Sequence, residues 1–132
     1  MAEPAAMTVK GVALLLWAAD PSKPARLATP FFHAAAAAAM ELEVEIYCSA
    51  RSVLLLQPGV AAALRASERH EKTVLQAMQE AVGHGARLYA CTDALAAQGL
   101  KRDALIAECS GHGGAVQFMA RLADPAWRCL VF

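Results

Sequence analysis

The first sustained pattern in the chain is Val9–Trp17, a nearly unbroken apolar run with no wet face, as expected of a strand buried at the centre of a parallel sheet. A loop with two prolines follows at Asp20–Pro24, and Thr29 then reads as the cap of a helix with Pro30 at its first position, running to about Met40. The inner face of that helix is almost all alanine, which suits close packing on a sheet. Leu42–Cys48 alternates strictly, the period of a strand with one face wetter than the other, and turns Glu43 and Glu45 toward solvent or an interface. Arg51–Leu56 is an apolar link ended by the turn Gln57-Pro58-Gly59, and Val60–Ala66 has room for one or two helical turns.

Ser67 reads as the cap of an amphipathic helix over Glu68–Val82, with Val74, Leu75, Met78, Ala81 and Val82 on one stripe and Gly83 and Gly85 at its end. Ala86–Ala90 is a further buried strand. Thr92–Gln98 is a short helix stopped by Gly99. Leu105–Cys109 reads as a fourth strand, with helix as the alternative. The glycine-rich turn Gly111-His112-Gly113-Gly114 leads into a helix over Ala115–Ala123, halted by Asp124-Pro125, and Trp127–Phe132 closes the chain as a strand. Strands alternating with helices predict an α/β fold: one three-layer α/β/α domain over 9–132 around a mainly parallel, five-stranded sheet, preceded by a flexible leader at 1–8. Ligands in such folds bind beyond the carboxyl ends of the strands, where Trp17, Cys48 and Cys91 stand.

Composition changes this picture in one respect. About a quarter of the 132 residues are alanine, well above the usual share, so the core is thinner than the 58% hydrophobic content suggests. Thin, Ala-rich faces gain burial by association, and a homo-oligomer is expected. Twelve basic and twelve acidic residues balance to zero, without a basic stripe, which argues against nucleic-acid binding. No apolar stretch reaches the ~18 to 20 residues needed to span a bilayer. Val12–Ala19 makes a poor signal-peptide core, with Glu3 before it and Asp20-Pro21 too soon after. The four cysteines, Cys48, Cys91, Cys109 and Cys129, contain no C-x-x-C pair and read as reduced thiols of a cytoplasmic protein.

Cys91 carries the most chemical information. It sits between a buried strand and a helix, and at such corners the partial positive charge of unpaired helix amides favours thiolate over thiol. Asp93 works against this unless it turns aside to cap the helix. A second reading stays open: Cys91 is a small buried hydrophobe, as most free cysteines are. Cys48 reads as a resolving thiol or a structural one, and Cys129 as core. Cys109 and His112 lack further metal ligands, and the turn at His112 has neither the G-x-G-x-x-G pattern nor a P-loop lysine, so neither metal nor cofactor is expected. His112-Gly113-Gly114 echoes an esterase oxyanion loop without the G-x-S-x-G elbow that would complete it. His33 and His70 read as helix-surface residues and His84 as part of a turn.

Taken in order, these segments resemble the DsrE/DsrF-like family, small α/β sulfur-relay proteins that include the sulfurtransferase subunits TusD, TusC and TusB. The resemblance is carried by the opening strand, the Ala-rich helix, Glu43-Val44-Glu45-Ile46-Tyr47, Gly85–Cys91, the segment Cys91–Leu100 and the closing Cys129-Leu130-Val131-Phe132. It implies a DsrE/YchN-like fold and a homotrimer or hexamer. It also implies a persulfide on Cys91, taken from a sulfur donor protein and passed to an acceptor protein; the strand-end position of Cys91 itself puts Trp17, Cys48, Thr92 and Asp93 around a candidate pocket. The competing readings are a non-catalytic oligomeric binding module of the same fold and a thiol redox sensor.

Overall fold

Among residues 8–132, which the computed structural model describes, five strands alternate with four α-helices. They are β1 Gly11–Leu16, α1 Ala28–Ala39, β2 Glu43–Cys48, α2 Val74–Gly83, β3 Arg87–Ala90, α3 Thr92–Ala97, β4 Gly111–His112, α4 Ala115–Ala123 and β5 Trp127–Val131. The leader expected at 1–8 lies, Thr8 apart, outside the described residues. All strand pairs are parallel, in the order β4-β3-β2-β1-β5.

This order decides where the helices go. From β1 to β4 the chain steps one way across the sheet, and it then returns from one edge to the other before β5. Parallel crossovers are right-handed, so a step in the reverse direction must travel over the opposite face. Accordingly α1 and α2 pack together on one face, and α4 lies alone on the other. The first face holds the main core, in which Leu14, Leu16, Ile46 and Leu88 meet Phe31 and Met78. The second is a small cluster of Ala13, Tyr47, Phe118 and Trp127. The three-layer arrangement expected from the alternation is therefore present, with its layers unequally filled.

Four local expectations are corrected. The second helix begins at Val74 rather than at Glu68. Thr73 and Gln76 form a capping box there (Gln76 N–H to Thr73 Oγ1 3.1 Å, Thr73 N–H to Gln76 Oε1 2.8 Å), whereas Ser67 Oγ accepts from the Arg69 amide at 3.2 Å and holds a separate turn. His70 lies in that turn and not on a helix. Thr29 does not cap α1; the 3-10 turn Pro24–Arg26 feeds straight into the helix, so Thr29 falls inside its first turn and its carbonyl accepts from His33 Nδ1 at 2.8 Å. Leu105–Cys109 is not a strand. The Ile106 amide donates to Leu56 of the 3-10 segment Ala50–Leu56, and pairing beside β3 starts only when Ser110 N–H reaches Leu88 O at 2.7 Å, leaving β4 two residues long.

Gly11 illustrates how tightly the second face is built. The Trp127 ring lies across it, and a Cβ at this position would stand 2.7 Å from three ring carbons. Gly11→Ala is expected to lower the urea unfolding free energy by about 1 to 3 kcal/mol through overpacking, read as a shift of the denaturation midpoint.

Candidate functional site

A further correction lies in β2. Glu45 faces neither solvent nor a free interface: it is 4% exposed, on the face of the sheet that α4 covers. Alternation along β2 was read correctly, but the wet face is covered by a helix 76 residues away in sequence. Arg121 of α4 clamps the carboxylate with two bonds, Nε to Oε1 at 2.7 Å and Nη2 to Oε2 at 3.0 Å. Arg87 adds a contact to Oε2 at 3.3 Å, and Tyr47 donates its hydroxyl to Oε1 at 2.9 Å. The guanidinium also lies 3.9 Å above the Trp127 ring. Burial alone would push the Glu45 carboxyl up. The Arg121 and Tyr47 hydrogen bonds, with the charges of Arg121 and Arg87, outweigh burial and hold it below the ordinary value.

That clamp sets the roll of α4. Arg121 and Phe118 point inward, while Val116 and Met119 point outward, 85% and 54% exposed. Above the clamp, at the carboxyl ends of the strands, α4 and the sheet enclose a cavity of about 330 Å3. Leu15, the Tyr47 ring, Phe118 and Met119 form apolar walls, and Cys48, Ser49, Cys91, Gly113, Gly114 and Ala115 the remainder. Tyr47 meets Phe118 edge-on, with ring centroids 5.9 Å apart.

Cys91 follows β3 and occupies the N-cap position of α3, with its backbone extended. Its amide donates to Cys48 O at 3.0 Å, which continues the β2–β3 ladder one step past Ala90. The residue is half-buried, and a Cβ on Gly114 would lie 3.7 Å from its Sγ. The glycine pair thus leaves the sulfur bordered by backbone at the start of α4. Asp93 does not cap α3. It sits exposed within the first turn, where its charge complements the helix dipole.

The other thiols are placed differently. Successive strand residues alternate faces, so Cys48, in the main core beside Ser52, is on the opposite side of the sheet from Tyr47. Cys48 stands behind the cavity with no exposed surface, and burial pushes its thiol up to about 12. Burial also raises Cys109 and Cys129. Cys109 sits at the far edge, its Sγ 3.4 Å from Gly111 O, beside a separate depression of about 180 Å3. A wider depression of about 490 Å3 near Ser67 contains no cysteine. No group of three metal-ligating side chains occurs among the described residues.

Of the residues expected around the pocket, Cys91 and Cys48 border the cavity. Trp17 stands 61% exposed after β1, and it, Thr92 and Asp93 lie outside the lining. Tyr47, Gly113, Gly114, Phe118 and Met119 were not singled out as site residues. The glycine pair was the one usable signal, and its meaning depended on β4 pairing with β3.

A family model described as the DsrE/DsrF-like family matches residues 12–132. Solved structures share the fold. The ychN protein from E. coli aligns with a TM-score of 0.68 at 16% identity, covering 93% of this chain and 99% of that one. MTH1491 from Methanobacterium thermoautotrophicum, described as of unknown function, gives 0.63 at 20% identity over 92% and 97%. BT1422 from Bacteroides thetaiotaomicron, likewise of unknown function, gives 0.63 at 15% over 96% and 99%. No curated protein matches. Among the described residues no helix is long and apolar enough to cross a membrane.

The clamp makes stability depend on pH. Because the folded Glu45 carboxyl lies below its ordinary 4.5, its contribution is complete above that value and is lost as pH falls through the folded one. Glu45→Gln is expected to cost about 3 kcal/mol at pH 7, since it leaves Arg121 without a counter-charge. In urea titrations the gap to wild type should narrow below pH 4.5.

Proposed function

The chain belongs to the DsrE/DsrF-like family, and from that membership we propose that it is a sulfur-relay protein in which Cys91 accepts sulfane sulfur as a persulfide and passes it to a partner protein. One observation carries the reading: of the two cysteines that border the strand-end cavity, Cys91 is partly exposed with its sulfur beside Gly114, whereas Cys48 has no exposed surface. The thiolate attacks the outer sulfur of a donor and the donor's sulfur–sulfur bond breaks; a second thiolate later removes the transferred atom. Amides at the starts of α3 and α4 are available to a developing negative charge on sulfur.

Cys48 is excluded as a resolving thiol in this scheme, because the sheet separates its side chain from the cavity. A redox sensor would need such a partner or a stable sulfenic acid. A purely structural role for Cys91 gains no support from a position on a cavity wall.

Incubated with a sulfurtransferase already loaded with sulfane sulfur as a cysteine persulfide, the protein should gain about one sulfur atom by intact mass, removable by a reductant. Cys91→Ser should abolish the gain while leaving the circular dichroism spectrum unchanged, and serine at 48, 109 or 129 should not. Equal loading of all four single variants would refute the assignment.

The same reading includes self-association. The outward side of α4 presents Val116, Met119 and Leu122 on the face where Trp17 and Val131 are also exposed, and a second copy of this chain is the natural cover for so much apolar surface. Val116→Glu should therefore convert a trimer or hexamer to smaller species in light scattering after size exclusion. A wild-type protein already monomeric at micromolar concentration would overturn this part.

A further inference from the structure

We infer that the cavity beside Cys91 receives its sulfur from a small hydropersulfide whose body is apolar and uncharged, an inference that rests on the sulfur-relay reading above. The first ground is the chemistry of the walls. Leu15, Phe118, Met119 and the Tyr47 ring present hydrocarbon and aromatic surface, the Ser49 hydroxyl donates to Leu16 O at 3.0 Å, and among the described residues none that lines the cavity is charged. The ionic groups nearby are already satisfied. Arg121 spends two hydrogen bonds on Glu45, Arg87 turns to the same carboxylate, and the Tyr47 hydroxyl is directed there as well. The site therefore has no free cation for a carboxylate, sulfonate or phosphate on the donor.

The second ground is size. About 330 Å3 falls at the lower end of the range for small-molecule sites, roughly 300 to 1,000 Å3, and exceeds what the persulfide tip of a single cysteine would fill. A charged donor body entering this space would lose its water with nothing to replace it, whereas an alkyl or aryl body would gain by burial. Methionine at the mouth adapts to bodies of different outline.

The transfer balances without an external oxidant. The Cys91 thiolate attacks the terminal sulfur of R–S–SH and the S–S bond of the donor breaks. R–S⁻ departs with the electron pair, and the proton stays on the transferred sulfur, giving Cys91–S–SH.

The test compares two donors with the same reacting group, benzyl hydropersulfide and glutathione hydropersulfide, each released in situ from a protected precursor. Loading of Cys91 on the full-length protein is followed by intact mass, and each rate is divided by that donor's rate with free cysteine. The benzyl donor should be favoured by about tenfold or more and should saturate. Ala115→Lys, which sets a cation at the exposed rim, should shrink that preference. A ratio near one, or one favouring glutathione hydropersulfide, overturns the inference while the persulfide reading stands. Failure of Cys91 to take sulfur from either donor, while a persulfide-loaded sulfurtransferase still loads it, likewise overturns the inference and leaves the relay reading standing; failure with all three donors overturns both.

Discussion

A single buried carboxylate organises the functional half of this protein. Glu45 sits in the sheet under the one helix on its face, and it cannot remain charged there unless a cation stays against it. Arg121 supplies that cation from α4, and the two bonds fix both the position and the roll of the helix. A helix of this composition, left to hydrophobic burial alone, would turn Val116, Met119 and Leu122 inward. The ion pair prevents this, because rolling the helix would strand Glu45. Apolar replacements of similar volume often match the stability of a buried ion pair; what the pair adds here is orientation.

Two consequences follow from that orientation. The inward side of α4 brings Phe118 against Tyr47 and places the Gly113-Gly114 backbone beside Cys91, which creates the cavity. Its outward side leaves an apolar stripe in water. The cavity and the exposed apolar stripe are thus two sides of one nine-residue helix, and Met119 belongs to both.

The parallel ladder does the rest. Pairing of Cys48 with Ala90 brings the ends of β2 and β3 level, so the chain leaves the sheet at Cys91 with its sulfur on the α4 side. The same pleat sends the Cys48 sulfur into the opposite core, where burial keeps it protonated. Two cysteines close in space are in this way kept apart, the Cys48 sulfur in the main core and the Cys91 sulfur at the cavity.

Much of this was legible in the residues themselves. Apolar runs of strand length, alternating with helical spacing, dictate a parallel α/β sheet, because each crossover must bury one face of a helix. A cysteine after a buried strand and before a helix is placed at the ligand-binding edge by the same rule. The true start of α2 was within reach too, since Thr73 and Gln76 have capping-box spacing, although Ser67 offered a competing cap. Other features had no local signature. Glu45 belongs to an alternating strand whose polar face looks solvated until the return from β4 to β5 carries α4 across it. Arg121, Phe118 and the glycine pair acquire their roles only from that crossing. Periodicity reports which side of an element is apolar, and it determined the fold class and the place of Cys91 at the strand ends. Which element covers which face depends on strand order and crossover handedness, and only the tertiary structure decided that.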